Sequence, residues 1–312
     1  MNRRDFLIRS GAAASIGLLA PVSSFAQTPS TGSGQAPAPA APVAPPPPVT
    51  EFKALRRNVG AFTGGGGTIG WLSNKDALCA IDTQFPNTAA IFLKDLPGRD
   101  ARTLDVVVNT HHHGDHTGGN KVLRPAVTKI VAHQNVPGLQ RKAAAAAKSE
   151  DNQAYADETF TDAWKASVGD ENVSAKYYGA GHTSGDAVYF IERANIVHMG
   201  DLMSHQRHPR VDRPAGASIR NWLTSLEKVV KDHNADTIYI FGHSKVGAPV
   251  TGNSKDLLTL RDYFSSMLDY VQKGIAAGKS AEEIVKGQVP GFTDSEGMPQ
   301  LQVAYDELTA KA

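Results

Sequence analysis

Residues 110–116 read Thr-His-His-His-Gly-Asp-His, which puts His111, His112, His113 and His116 of a chain with 11 histidines within six positions. They directly follow Thr103 to Asn109 (TLDVVVN), a short β-branched run that reads as a buried strand. A loop held there at a sheet edge can turn alternate members of a His-x-His-x-Asp-His pattern toward one cation and the remaining pair toward a second. Imidazole nitrogen and carboxylate oxygen suit zinc, manganese or iron. The single cysteine, Cys79, excludes an internal disulfide and a cysteine-based zinc knuckle, so metal chemistry in this chain has to use histidine and carboxylate.

Charge is balanced, with 32 basic and 31 acidic residues, and no long basic run marks a nucleic-acid partner. The N-terminus begins Asn2-Arg3-Arg4-Asp5-Phe6-Leu7, continues through an apolar stretch from Gly11 to Ala20 and ends Ser24-Phe25-Ala26. This resembles a twin-arginine export signal. Its apolar part is about ten residues, against about 20 for a spanning helix, so residues 1–26 read as a signal peptide and not a stable membrane anchor. The expected location is the periplasm. Residues 27–50 are rich in Pro, Ala, Ser and Gly and read as a disordered or polyproline linker. Residues 51–312 form the folded part, and with no second such linker and no repeat a single domain is expected.

Within it, apolar strand-like runs alternate with helical patterns. Thr68 to Ser73 and Ala77 to Ile81 are split by Asn74-Lys75-Asp76, a hairpin signal. Lys129 to Ala132, Ala187 to Ile191, Asn195 to His198 and Thr237 to Phe241 also read as strands. Ile219, Trp222, Leu223, Leu226, Val229 and Val230 share one face of a helix capped by Ser218. Further helices are expected over 255–277, 136–147, 281–286 and the C-terminal end. The mixture predicts sheets covered by helices. Gly64 to Gly67 lacks the ending of a phosphate loop and leads into a strand, so it reads as a flexible hairpin tip or loop.

Three more segments end apolar runs on a ligand-type residue: Gly181-His182-Thr183-Ser184-Gly185-Asp186, Val197-His198-Met199-Gly200-Asp201 and Ile240-Phe241-Gly242-His243. Together with the histidine cluster, their order resembles the metallo-β-lactamase superfamily over nearly all of residues 60–250. The resemblance implies an α+β fold, an αββα sandwich with a metal site at one edge of the sheets. It further implies that His111, His113 and His182 hold one metal, that Asp115, His116 and His243 hold the other, and that Asp201 bridges them. Two zinc ions, or iron or manganese in their place, are the implied cofactors. The implied activity is a metallo-hydrolase in which a metal-bridging hydroxide attacks an ester, lactone, thioester or amide, with Asp115 orienting the nucleophile and shuttling its proton.

Two departures refine the resemblance. The commonest zinc β-lactamases carry cysteine where this chain has Asp201, and the acidic bridge looks more like glyoxalase II and lactonases, which lowers the expectation of β-lactam hydrolysis as the native role. Ser184 and Ser244 stand where many relatives have Gly or Pro. Of the remaining histidines, His112 reads as a spacer pointing away from the metals or a partner that supports a ligand, His198 as a core residue or such a partner, and His133 and His233 as surface or capping residues. Asp82 and Asp186 read as structural hydrogen-bond acceptors. The loop Ser204 to Arg213 is dense in cations, and Arg207, His208 and Arg210 are candidate contacts for an anionic group on a small-molecule substrate. Two other readings stay open beside the hydrolase: an iron-dependent oxidoreductase resembling persulfide dioxygenases, and a periplasmic metal- or substrate-binding module with little turnover.

Overall fold

In the computed structural model, residues 48–310 are described; the expected signal peptide and nearly all of the expected linker lie outside them. The first sheet contains β1 (Glu51–Arg56), β2 (Val59–Thr63), β3 (Ile69–Ser73), β4 (Leu78–Ile81), β5 (Leu104–Asn109), β6 (Val127–His133) and β7 (Glu158–Phe160), hydrogen-bonded in that order. It is antiparallel as far as β4 and parallel from β4 to β7. Interleaved with it are α1 (Pro86–Asp95), α2 (Gly114–Thr117), α3 (Asn120–Leu123) and α4 (Val136–Ala147).

The second half of the chain supplies β8 (Ala163–Val168), β9 (Glu171–Lys176), β10 (Val188–Ile191), β11 (Ile196–His198), β12 (Ser204–His205), β13 (Ile238–Ile240), β14 (His243–Ser244) and β15 (Thr251–Gly252). Six of these form a sheet in the order β15-β13-β11-β10-β9-β8, and β12 pairs separately with β14. The helices of this half are α5 (Ile219–Asp232), α6 (Ser254–Ala276), α7 (Ala281–Val285) and α8 (Leu301–Thr309). Among the described residues, no helix is long and apolar enough to cross a membrane.

Successive strand residues point to opposite faces, and here both faces are covered, which is why the central strands read as unbroken apolar runs. In β4 and β5, Leu78, Ala80, Leu104 and Val107 join Phe92 of α1 and Leu123 of α3 on the outside. Cys79, Ile81, Val106 and Val108 meet Val173, Tyr189, Ile191 and Ile240 of the second sheet on the inside. The outer face of the second sheet presents Val188, Val197 and Tyr239 to Trp222, Leu226, Phe264 and Leu301 of the late helices. Three apolar layers between helix, sheet, sheet and helix make the αββα sandwich.

Ser218 caps α5 as its sequence suggests, its hydroxyl accepting from the Asn221 amide. Gly64 to Gly67 does link two antiparallel strands, β2 and β3. It is no flexible tip: Gly67 donates to the Asp115 carbonyl (3.0 Å) and the Gln84 amide donates to the Gly67 carbonyl (2.6 Å). His133 also differs from its sequence reading, because it is 1% exposed and stacked on Tyr177 with ring centroids 4.1 Å apart.

Trp222 is fully buried, packs against Phe264 and donates its indole N–H to the Leu202 carbonyl (3.0 Å). Trp222→Ala removes that volume and that donor together, and a loss of about 3 to 5 kcal/mol of unfolding free energy is expected in urea denaturation; a loss under about 1 kcal/mol would contradict the packing described.

Candidate metal centre

The topology carries each candidate donor to the same edge of the sandwich. His111 and His113 follow β5, Asp115 and His116 sit in the short α2, Asp201 follows β11, and His243 opens β14. His182 lies between β9 and β10, in a turn built by Asp186, whose carboxylate accepts from the amides of Gly181 and Thr183 and from the Thr183 hydroxyl. Asp186 is thus a structural acceptor.

The donors fall into two groups joined by one carboxylate. His111, His113, His182 and Asp201 each bring one atom within 4.8 Å of the others, and so do Asp115, His116 and His243. In the first group the His113 Nδ1 stands 3.1 Å from His111 Nε2 and 2.8 Å from His182 Nε2. Asp201 Oδ2 lies 3.5 Å from His182 Nε2 and 3.9 Å from His111 Nε2. In the second group His116 Nε2 is 3.3 Å from His243 Nε2, and Asp115 Oδ2 is 3.0 Å from His243 Nε2. The other oxygen of Asp201, Oδ1, lies 3.0 Å from His116 Nε2 and 3.4 Å from His243 Nε2.

Hydrogen bonds on the far side of each ring decide which nitrogens face inward with a lone pair. His182 Nδ1 meets the Arg210 carbonyl at 2.7 Å, and a carbonyl only accepts, so Nδ1 carries the proton. His113 Nε2 donates to Asp212 Oδ2 and His116 Nδ1 to Asp82 Oδ2, each at 2.7 Å. The Thr110 hydroxyl donates to Asp82 (2.7 Å) and therefore accepts from His111 Nδ1 (3.0 Å). Three lone pairs of the first group are left pointing at one another across about a hydrogen bond's length with no hydrogen to share. Asp201 Oδ1, buried, has no hydrogen-bond partner of acceptable geometry either. Only a cation satisfies such a set, so the residues present fit metal ions.

The electrostatics say the same. Burial pushes the Asp201 carboxyl up, yet the charges of His243, His116 and His111 hold it well below the ordinary carboxylate value. Burial likewise opposes charge on His116, and Asp201 and Asp82 overcome it and raise the imidazole well above its usual value. His243 is held at about 9, burial being outweighed by Asp201 and by the hydrogen bond to Asp115. Asp115 falls to about 2 against its own burial, through the hydrogen bond from His243 and the charge of His116. His111 and His182 are lowered, first by burial. The buried anion of Asp201 demands positive charge nearby.

Other candidates separate from this group. His112 is buried beside His113 with Nδ1 unpartnered; it belongs to neither of these two groups but to a third close set, with His113 and Asp212. His198 is a fully buried core residue whose Nε2 pairs with the Thr68 carbonyl. His233 forms the C-cap of α5. His208, expected near the substrate, is 9% exposed and bonded through Nδ1 to the Tyr263 hydroxyl (2.8 Å); its ring is committed to the packing of the late helices. Arg210 turns its guanidinium to solvent, 3.8 Å from Asp212, while its carbonyl holds His182. Arg207 lines a groove of about 690 Å³ with Lys53, Gly67, His243 and Lys245.

Asp212 was not visible as a functional residue because its neighbours draw attention to cations. Asp82 was read only as a structural acceptor, yet it orients His116 directly and His111 through Thr110. The signal available for it was position: like the donors, it directly follows an apolar run, here β4.

Close packing around the second donor group leaves no room for a side chain at Gly67, where a Cβ would run into the His116 ring. Gly67→Ala is expected to fold and, for a metal ion held by Asp115, His116 and His243, to bind about 10- to 100-fold more weakly in a chelator-competition titration. Affinity equal to the parent protein would contradict the geometry.

Residues 33–243 match the family model described as the metallo-beta-lactamase superfamily. Among curated proteins, the metallo-beta-lactamase type 2 of Bacillus sp. (strain 170) is 25% identical over 178 residues, 56% of this chain and 66% of that protein. That of Bacillus cereus is 27% identical over 146 residues, 47% of this chain and 54% of the relative. The chain thus spans just under two-thirds of the first relative's length and just over half of the second's. Among solved structures, the metallo-beta-lactamase from Pontibacter korlensis superposes with a TM-score of 0.58 at 19% identity, covering 70% of this chain and 99% of that one. The metallo-beta-lactamase IND-7 gives 0.54 at 16% identity, covering 68% and 98%. These two likenesses concern the fold. With a family model spanning most of the folded residues and the sandwich and its clustered donors in place, the chain belongs to the metallo-beta-lactamase superfamily.

Proposed function

We propose that the protein is a metal-dependent hydrolase with two ions, held by His111, His113, His182 and Asp201 Oδ2 on one side and by Asp115, His116, His243 and Asp201 Oδ1 on the other. The observation that carries this reading is the placement of the two Asp201 oxygens, one toward each donor group. Nitrogen and oxygen donors of this kind favour zinc. When bound, such ions lower the pKa of water to about 7 and polarise a substrate oxygen.

The chain's own residues supply the rest. Asp115, ionised and partly open to solvent, is placed to accept a proton from water at the mouth of the centre and to pass it to a leaving group. Asp82, Asp212 and the Arg210 carbonyl keep the imidazoles in one tautomer and one orientation. No serine, threonine or cysteine hydroxyl or thiol is needed as a nucleophile. The substrate class proposed is an ester, lactone, thioester or amide. The acidic bridge favours the glyoxalase II and lactonase type of chemistry, and the names of the two curated relatives bring β-lactams into the test. Arg207, with Lys53 and Lys245 in the same groove, supports a substrate carrying an anionic group. We place the protein in the periplasm on the strength of Arg3-Arg4 and the apolar stretch that follows.

Purified protein is expected to hold two zinc per chain by elemental analysis. It should hydrolyse at least one member of an ester, lactone, thioester and β-lactam panel, and lose that activity with a chelator or with Asp115→Ala. Arg207→Ala should raise KM for anionic members several-fold at unchanged metal content. One oxygen-sensitive iron per chain, or two ions with no turnover, would sink the hydrolase reading. Export is tested separately by fractionation: replacing Arg3 and Arg4 by Lys should leave the protein in the cytoplasm, and unchanged periplasmic recovery would remove the export proposal.

A further inference from the structure

We propose that α8 braces one half of the metal centre, with Glu307 and Gln300 as positioning residues for His113 and His182; this rests on reading the donor cluster as a metal centre. Both imidazoles are oriented from outside by a single loop. His113 Nε2 is held by the Asp212 carboxylate and His182 Nδ1 by the Arg210 carbonyl. The loop from Gln206 to Ala217 has little regular structure of its own, a single short turn over Arg213–Ala215. Something else has to keep its geometry.

That support comes from about 90 residues further along the chain. The Gln300 side-chain oxygen accepts from the amide of Val211, the residue between Arg210 and Asp212 (2.9 Å). At the other end of α8, the Glu307 side chain is only 7% exposed. Its Oε2 accepts from the Ile219 amide (2.9 Å) and Arg213 Nη1 (3.3 Å), and its Oε1 from the Arg220 amide (3.0 Å) and the Ser218 hydroxyl (3.4 Å). A carboxylate at the start of the 14-residue α5 meets free amides and the positive end of the helix dipole, so the contact is electrostatically favoured. Ser218 in turn donates its amide to the carbonyl of Gly181, the residue before His182. The loop bearing Asp212 is thereby fastened on both flanks, at 211 and at 213–220.

Among the described residues α8 itself makes no comparable contact with the other half; the segment before it does touch the loop after His243, Glu296 accepting from the Val246 amide (2.9 Å). His116 is oriented by Asp82 and packed by Gly67, and His243 belongs to β14, paired with β12. The brace is therefore one-sided, and a merely structural helix would not be. Loosening α8 as a general support weakens both ion sites together; loosening a brace weakens one.

The test uses full-length protein: parent, Glu307→Ala, Glu307→Gln and Gln300→Ala, each stripped and titrated with zinc against a chelating indicator that resolves two equivalents. His111→Ala and His243→Ala identify which equivalent belongs to which half, and circular dichroism verifies folding. Glu307→Ala should weaken the His111-His113-His182 equivalent about tenfold, the low end for a group that acts on a ligand through an intermediary. The Asp115-His116-His243 equivalent should be unchanged, and Glu307→Gln, which keeps an acceptor, should recover most of the loss. Gln300→Ala leaves the start of α5 intact, should act in the same direction, and carries the test if Glu307→Ala does not fold. Equal weakening of both equivalents, or no weakening in a folded variant, overturns the brace. A parent protein that takes up no zinc overturns the metal reading itself, and the brace with it.

Discussion

The centre depends on hydrogen bonds made outside it. Each of His111, His113 and His182 donates its outer N–H to a fixed acceptor, and that decides that its inner nitrogen carries a lone pair. Were any of these tautomers free to flip, two of the inner nitrogens could share a proton and the site would relax into an ordinary imidazole cluster. Because they cannot, the inner atoms remain mutually repulsive acceptors, and the buried carboxylate of Asp201 adds anionic charge to the same space. The fold keeps this arrangement assembled against its own electrostatics, which is the usual mark of a site shaped for something absent from the polypeptide.

Two sheets with both faces buried make that possible. The apolar layers on either side of β5, β11 and β13 fix the strands in register, so the residues that leave their ends emerge at defined points along one edge. Donors on rigid strand ends can be placed to within the tolerance of a coordination sphere, whereas donors on a free loop would each have to be ordered at the cost of conformational entropy. The two donors that do not sit on a strand end or in α2 next to one have their own devices: His182 relies on the Asp186 turn and on the packing of Trp222, and His113 on Asp212.

This division explains what could be read from the sequence. β3 to β6, β10, β11, β13 and the late helices were legible because burial on both faces or on one stripe leaves an apolar pattern. β1, largely exposed at a sheet edge, and β8 and β9, where buried residues are interleaved with polar ones, carry no such signature and were missed, as was the glycine-bearing β2. The seven donors stand out by spacing and by their place after apolar runs, and the structure brings all seven together. His133 misled because its burial comes from Tyr177, over 40 positions away, and local sequence gives no hint of a stacking partner. Glu307 was illegible for the same reason: one surface-type residue in a C-terminal helix, whose contacts with Ile219 and Arg220 span 88 and 87 positions.

The supports of the centre also come from different parts of the chain. Asp82 and Thr110, which hold His116 and His111, and the glycine loop lie with the first sheet, whereas Arg210 and Asp212, which hold His182 and His113, lie between β12 and α5. Asp201 is the one donor that faces both groups. Metal ions bound across this junction would tie the sheets to each other, since an ion with affinity for the folded state alone adds its binding free energy to stability. The stripped protein must then carry the whole mutual repulsion of the cluster at its sheet edge, with protonated His116 and His243 as the substitute cations. As pH rises through about 9, where His243 gives up its proton, that substitute weakens and the buried Asp201 anion loses part of its compensation. Metal ions bound there would compete with protons for one role, that of compensating the buried Asp201 carboxylate.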